Sequence, residues 1–204
     1  MPTMWIVAGP NGAGKSTLTN QILEELDVTT ITKLNADEVT IALRADDPDG
    51  DQADLNLQAA KIVDQQVLDC INQGADFLVE TVLSSPKYRD AVAKAQENGF
   101  SVSLIYVSLY PPELSPERVG ERVRKGGHAV DRQKAIDRYY RSHEQLVWFA
   151  RAVDELMIID NSSANGEPVW LAIKAADLAI SRFVVGKNLA VDEALDAAFG
   201  PNQT

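Results

Sequence analysis

The run GPNGAGKST, Gly9 to Thr17, follows directly on the apolar stretch MWIVA and leads directly into KSTLTNQILEEL. Residues Gly9 to Ser16 match G-x-x-x-x-G-K-[ST] without departure. Glycines in such a loop let successive backbone N–H groups turn inward around an anion, and the helix that follows adds its positive end. Lys15 is then placed to reach the outer phosphates of a nucleotide, and the Ser16 hydroxyl to help hold magnesium. A glycine-rich turn without a ligand is the alternative, but a strand before and a helix after are the context the mechanism requires.

Apolar strand-like runs recur along the chain with helical stretches between them. MWIVAG, TTITKLN, ADFLVET, SVSLIYVSL and ELMIID read as five strands. LQAAKIVDQQVLDCINQG reads as an amphipathic helix that stops at Gly74. Five strands alternating with helices predict an α/β protein, a mostly parallel sheet with helices on both faces. Ligands on such sheets bind beyond the carboxyl ends of the strands, where every motif of interest falls. The chain of 204 residues suits one domain, 1–204. Arg44 to Asp54 reads as a solvated acidic connection, because it lacks the spacing and terminal Glu of a calcium loop. The tail FGPNQT is expected to fray.

A net charge of −11 argues against binding long nucleic acids, which depends on clustered cations. The charge is unevenly spread. Between Arg118 and Arg141, six arginines and two lysines face three acids, about +5, which leaves the rest of the chain near −16. No apolar run reaches the roughly 18 residues of a membrane span, and the start MPTMWIV lacks a basic leader, so a cytoplasmic protein is expected. The single cysteine, Cys70, excludes an intrachain disulfide framework and is in phase with Val63 and Val67, so it is read as a buried thiol.

A group transfer needs an acid near the acceptor and cations for the migrating charge. Asp37, beyond the second strand, either accepts a proton from an acceptor hydroxyl or caps the following helix. Glu80 closes the strand DFLVE, where magnesium-water or substrate contacts are made. Arg118, Arg122 and Lys125 share a helical face ahead of Gly126-Gly127, so the segment of about 111–131 reads as a short basic lid with a glycine hinge. His143, in phase with Tyr139 and Val147, reads as a core histidine, and His128 as an organiser of the lid turn.

GPNGAGKST, NADE, ETVLS and RVGERVRKGGHAVDRQKAIDRYYRS, in this order and spacing, resemble the zeta toxin family over roughly Met4 to Asn161. These are P-loop kinases, several of which phosphorylate UDP-N-acetylglucosamine on the sugar. The resemblance implies a P-loop kinase-like fold, ATP and Mg²⁺ as cofactors, a UDP-amino sugar as substrate and an antitoxin protein as partner. It implies that Gly9, Asn11, Gly12, Ala13, Gly14, Lys15, Ser16 and Thr17 hold ATP and Mg²⁺, with Ser16 on the metal. Asp37 matches the catalytic acid, and Asn35, Glu80, Thr81 and Ser84 fall with it at the substrate site. Arg118 or Arg122 matches a phosphate-contacting lid arginine. Two positions depart from the family pattern. Val82 stands where better-known members carry a substrate-binding threonine, and His128 falls near a second phosphate arginine, a role that Arg124 or Arg132 would then take. A nucleotide-dependent switch or antitoxin-binding module without a small acceptor, or a kinase for a nucleoside, another nucleotide or a nucleic-acid 5′ end, are the alternatives to a sugar-nucleotide kinase.

Overall fold

The structure, a computed structural model, describes residues 1–25, 31–125, 130–163, 167–176 and 179–201. Strands β1 (Thr3–Ala8), β2 (Thr32–Asn35), β3 (Phe77–Thr81), β4 (Ser101–Ser108) and β5 (Glu155–Asp160) form the parallel part of one sheet. All five strands expected from the sequence are present. The sheet nevertheless has seven strands, because β6 (Val169–Lys174) and β7 (Ser181–Arg182) continue it antiparallel in the order β2-β3-β1-β4-β5-β6-β7. The expected five leave out both; the two residues of β7 carry no periodic pattern, and the open backbone of β6 specifies that strand.

Strand alternation divides the interior into two layers. Met4, Ile6 and Ala8 of β1 join Val102, Leu104 and Tyr106 of β4 in the larger cluster, while Val7, Ile105 and Val107 face the opposite layer. Helix α3 (Gln52–Gln73) covers the first face with Val63, Val67, Cys70 and Ile71, so the cysteine is the buried thiol expected. Helix α4 (Arg89–Glu97), helix α6 (Arg132–Ala152) and helix α7 (Leu189–Phe199) add Val92, Leu146, Phe149 and Leu195. Helix α1 (Lys15–Glu25) brings Leu18 to the other face. Both faces of the parallel strands are therefore buried, which is why those strands read as nearly continuous apolar runs.

Helix ends follow their capping residues. Asp51 accepts from the N–H groups of Ala53 and Asp54 to start α3, and Gly74 ends it in the left-handed region at φ 64°. The acidic connection is shorter than expected. Helix α2 (Ala36–Asp46) runs through Arg44, whose guanidinium donates to the carbonyls of Pro48 and Gly50 and ties down the turn. Helix α5 (Leu114–Arg124) closes on Lys125, before the two glycines expected to end it. Gly126, Gly127 and His128 lie outside the described residues, as does the end of the tail, 202–204. Among the described residues no helix is long and apolar enough to cross a membrane.

A candidate active site at the carboxyl ends of the strands

Strand β1 lies at the centre of the parallel strands, and its chain neighbour β2 lies two places away with β3 between them. The register sets Asn35 beside Glu80 and Glu80 beside Val7, so the ends of β2 and β3 flank the loop that leaves β1. That loop is closely packed. A Cβ at Gly9 would stand 1.9 Å from the Val107 carbonyl oxygen, and one at Gly12, where φ is +77°, 2.8 Å from that of Ser115. Gly9 and Gly12 are thus required by the approach of neighbouring backbone as well as by the turn.

Lys15 begins α1 and is buried. Its ammonium donates to the carbonyls of Gly9 and Pro10 at 3.0 and 3.1 Å, folded against its own loop. Burial lowers its pKa, the carboxylates of Glu80 and Asp37 oppose that shift, and Arg122 and Arg138 add to it. All these charges therefore share one electrostatic neighbourhood.

The Ser16 hydroxyl donates to Glu80 Oε1 at 2.8 Å. The other carboxylate oxygen, Oε2, is buried with no hydrogen-bond partner among the described residues. A buried acceptor left open beside a hydroxyl is costly unless a cation or donor arrives. Magnesium takes oxygen ligands, usually one or two carboxylates with water and phosphate oxygens. The pair Ser16–Glu80 fits that ion, and the glycine cradle with its lysine fits nucleotide phosphates. Among the described residues there is no group of three or more His, Cys, Asp or Glu able to hold a metal by itself.

The two readings of Asp37 separate in the structure. Asn35, not Asp37, is the N-cap of α2: its Oδ1 accepts from the Asp37 N–H at 2.8 Å. The Asp37 carboxylate, in the first turn of the helix, lines the cleft and is exposed to it. Thr81 and Ser84 line the same cleft, with Val82 between them. Thr81 Oγ1 accepts from the Leu83 N–H at 3.1 Å and so shapes the turn in which buried Leu83 takes φ 56°.

Arg118 and Arg122 of α5 line the cleft, which has a volume of about 460 Å³. Arg118 also donates to the Ser163 carbonyl at 3.1 Å. Val119, one residue on, is buried, which fixes the face that α5 turns inward. Arg124, Lys125 and Arg132 are exposed and do not line the cleft. Thr17, Gly12 and Gly14 line it; Gly9 and Ala13 sit behind it.

Arg138, on α6, lines the cleft and was not singled out from the sequence. Burial lowers its pKa and the Asp37 charge opposes the shift, so both residues share the electrostatic neighbourhood of the cleft that they line. Its signal was a place in the Arg118–Arg141 basic island one residue before buried Tyr139. Lys87, which also lines the cleft and is paired with Asp64 at 2.7 Å, was likewise missed. His143 is the packed core residue expected: Nε2 lies 2.9 Å from Ser108 Oγ, Nδ1 2.9 Å from the Tyr139 carbonyl, and burial pushes its pKa down to about 4.

Known proteins are similar to this chain in sequence or in structure. An uncharacterized protein of Haemophilus influenzae is 27% identical over 122 residues, 60% of this chain and 81% of that protein. The AvrRxo1-ORF1:-ORF2 complex crystallised with ATP superposes with a TM-score of 0.68 at 16% identity, over all of this chain and 65% of that one. This chain therefore spans just under two thirds of that relative's length. A structure from the PezAT chromosomal toxin–antitoxin system of Streptococcus pneumoniae superposes with a TM-score of 0.60 at 16% identity, over 100% of this chain and 80% of that one. These similarities carry the P-loop kinase-like fold. The zeta toxin family model matches residues 1–166, and the chain belongs to the zeta toxin family.

Proposed function

We propose that this protein is an ATP- and magnesium-dependent kinase that phosphorylates a sugar hydroxyl of a UDP-activated amino sugar, UDP-N-acetylglucosamine or a close analogue. The observation that carries the reading is one cleft lined by Lys15, Ser16, Asp37 and Glu80 together with Arg118, Arg122 and Arg138. A switch would need the phosphate loop alone; the acids and arginines across from it find a joint purpose only in group transfer.

Magnesium-bound ATP, when present, supplies the phosphoryl group to be transferred. Lys15 exchanges two neutral carbonyls for anionic oxygens, a stronger hydrogen-bond acceptor for a buried ammonium. Ser16 and Glu80 offer a hydroxyl and a carboxylate to the metal and its waters. Asp37 takes the proton from the acceptor hydroxyl. The three arginines spread over the charge that gathers on the phosphoryl oxygens. Asn35, Thr81 and Ser84 hold the acceptor side, with Val82 setting which sugar nucleotide fits. The segment 111–131 acts as a lid on a single domain, 1–204, and Arg124 reaches the nucleotide only if that lid closes further.

Membership of the zeta toxin family supports depletion of a UDP-sugar pool as the basis of toxicity, and an antitoxin as the partner that restrains it. The deciding experiment incubates the protein with ATP, magnesium and a panel of UDP-sugars, followed by mass spectrometry. One added phosphate on a UDP-amino sugar is the expected product. ADP release that no acceptor stimulates would instead indicate a nucleotide switch.

A further inference from the structure

Two carbonyls of the phosphate loop are held from outside by side chains that lie far from the motif in sequence. Ser115 Oγ, on α5, donates to the Asn11 carbonyl at 2.7 Å. Asn161 Nδ2, just past β5, donates to the Ala13 carbonyl at 2.8 Å. A trans peptide unit is planar, so a carbonyl and the N–H that follows it point in opposite directions. Turning the Asn11 carbonyl toward Ser115 sends the Gly12 N–H the other way. Turning the Ala13 carbonyl toward Asn161 does the same for the Gly14 N–H. Both glycines line the cleft. The two pins stand close: a Cβ would come within 2.8 Å of the Ser115 carbonyl oxygen at Gly12 and within 2.6 Å of Asn161 Nδ2 at Gly14.

We infer that Ser115 and Asn161 are positioning residues that hold the N–H groups of Gly12 and Gly14 ready for phosphate before any ligand arrives. The inference rests on the reading of this loop as a nucleotide-phosphate site. Each pin is itself anchored. Ser115 is fully buried. Asn161 is fixed by its own N–H on the Ser108 carbonyl at 2.9 Å. The preceding carboxylate, Asp160, is 1% exposed and accepts from Ser162 and from Asn188 Nδ2, the latter at 2.7 Å. Asn188 caps α7, beyond residue 166 where the family match ends, so the C-terminal helix anchors the turn that steadies the phosphate loop. Ser115 lies one turn before Arg118, and α5 therefore cannot leave the loop without releasing the Asn11 carbonyl. The pin couples the arginine-bearing helix to the cradle.

Preorganised donors spare a ligand the cost of ordering them. One net hydrogen bond in this role amounts to about three- to tenfold in Kd. The test is calorimetry of ADP and of inorganic pyrophosphate with the full chain, its Asn161→Ala, Asn161→Asp and Ser115→Ala variants, and the double alanine variant. Melting temperatures without ligand are recorded in parallel. Each alanine should weaken both ligands about three- to tenfold, and the double variant more than either alone, with a departure from the product because both pins hold one loop. Asn161→Asp, which sets a carboxylate against a carbonyl, should weaken them more than alanine does. Asn161 is only half-buried, so its variants stay folded and decide the outcome even if Ser115→Ala does not. Unchanged pyrophosphate affinity in Asn161→Ala would overturn the inference. So would a loss confined to ADP, which would make Asn161 a contact to the nucleoside, and so would a wild-type protein that binds ADP without binding pyrophosphate. Failure of the wild type to bind either ligand would instead remove the phosphate site itself, and the proposed function with it.

Discussion

Asn35 caps the helix on which Asp37 rides: its side-chain oxygen accepts the Asp37 N–H at 2.8 Å and leaves the Asp37 carboxylate to the cleft. The two residues divide work that a single aspartate at this position would have to share, so they separate by mutation.

Asp37→Asn should lower kcat by about 10²–10⁴ while leaving stability within about 0.5 kcal/mol. Affinity for a non-hydrolysable ATP analogue should stay within about twofold. Single-turnover transfer and calorimetry check this. Wild-type turnover would remove Asp37 from the chemistry.

Asn35→Ala removes the cap and should cost about 1 kcal/mol, a fall in Tm of about 2–4 °C for a chain this size. It also frees the first turn that aims Asp37, so kcat should drop alongside Tm. Thermal unfolding and steady-state kinetics on the same sample measure both.

Gly12→Ala places a methyl group 2.8 Å from the Ser115 carbonyl oxygen at φ +77°. The backbone strain alone is about 1–2 kcal/mol. The loop must also part from α5, and nucleotide affinity should fall more than about tenfold, read by calorimetry with ADP.

Arg138→Met should reduce phosphoryl transfer by about 10- to 100-fold, because Arg138 lines the cleft and its charge interacts with that of Asp37. Arg124→Met, altering an exposed side chain outside the cleft lining, should change it by less than about threefold. Equal effects from the two variants would mean that α5 closes further over the nucleotide than its position here.

Burial holds the His143 pKa near 4 against an ordinary 6.5. The folded protein refuses a proton that the unfolded chain accepts, so stability declines as pH falls through that interval and levels off below it. The contribution is about 3 kcal/mol between its limits. Urea unfolding at pH 4 to 7 should show a shallower pH slope in His143→Gln than in the wild type. Parallel slopes would show that His143 is accessible to protons in the fold.

The phosphate loop, the five parallel strands, the Gly74 helix stop and the buried face of Cys70 were all legible in the residues, because each depends on local geometry. Glycine spacing, the period of apolar side chains and left-handed backbone are properties of a few consecutive residues. Asp37 remained ambiguous at that level, since an aspartate at a helix start serves equally as a cap or as a free carboxylate. Only the neighbour's side chain resolved it. Arg138 and Lys87 looked like ordinary surface cations until α6 and the turn after β3 brought them to the cleft. Strand β6 exists because the edge of β5 offers it backbone partners, and β7 because β6 does the same in turn. The hold of Asn161 on Ala13 spans 148 residues. Periodicity and spacing reach across a turn or two of chain, whereas a cleft is assembled from parts that only packing makes neighbours. The sequence alone determined which reactive side chains the chain carries; the tertiary structure decided which of them line one cleft.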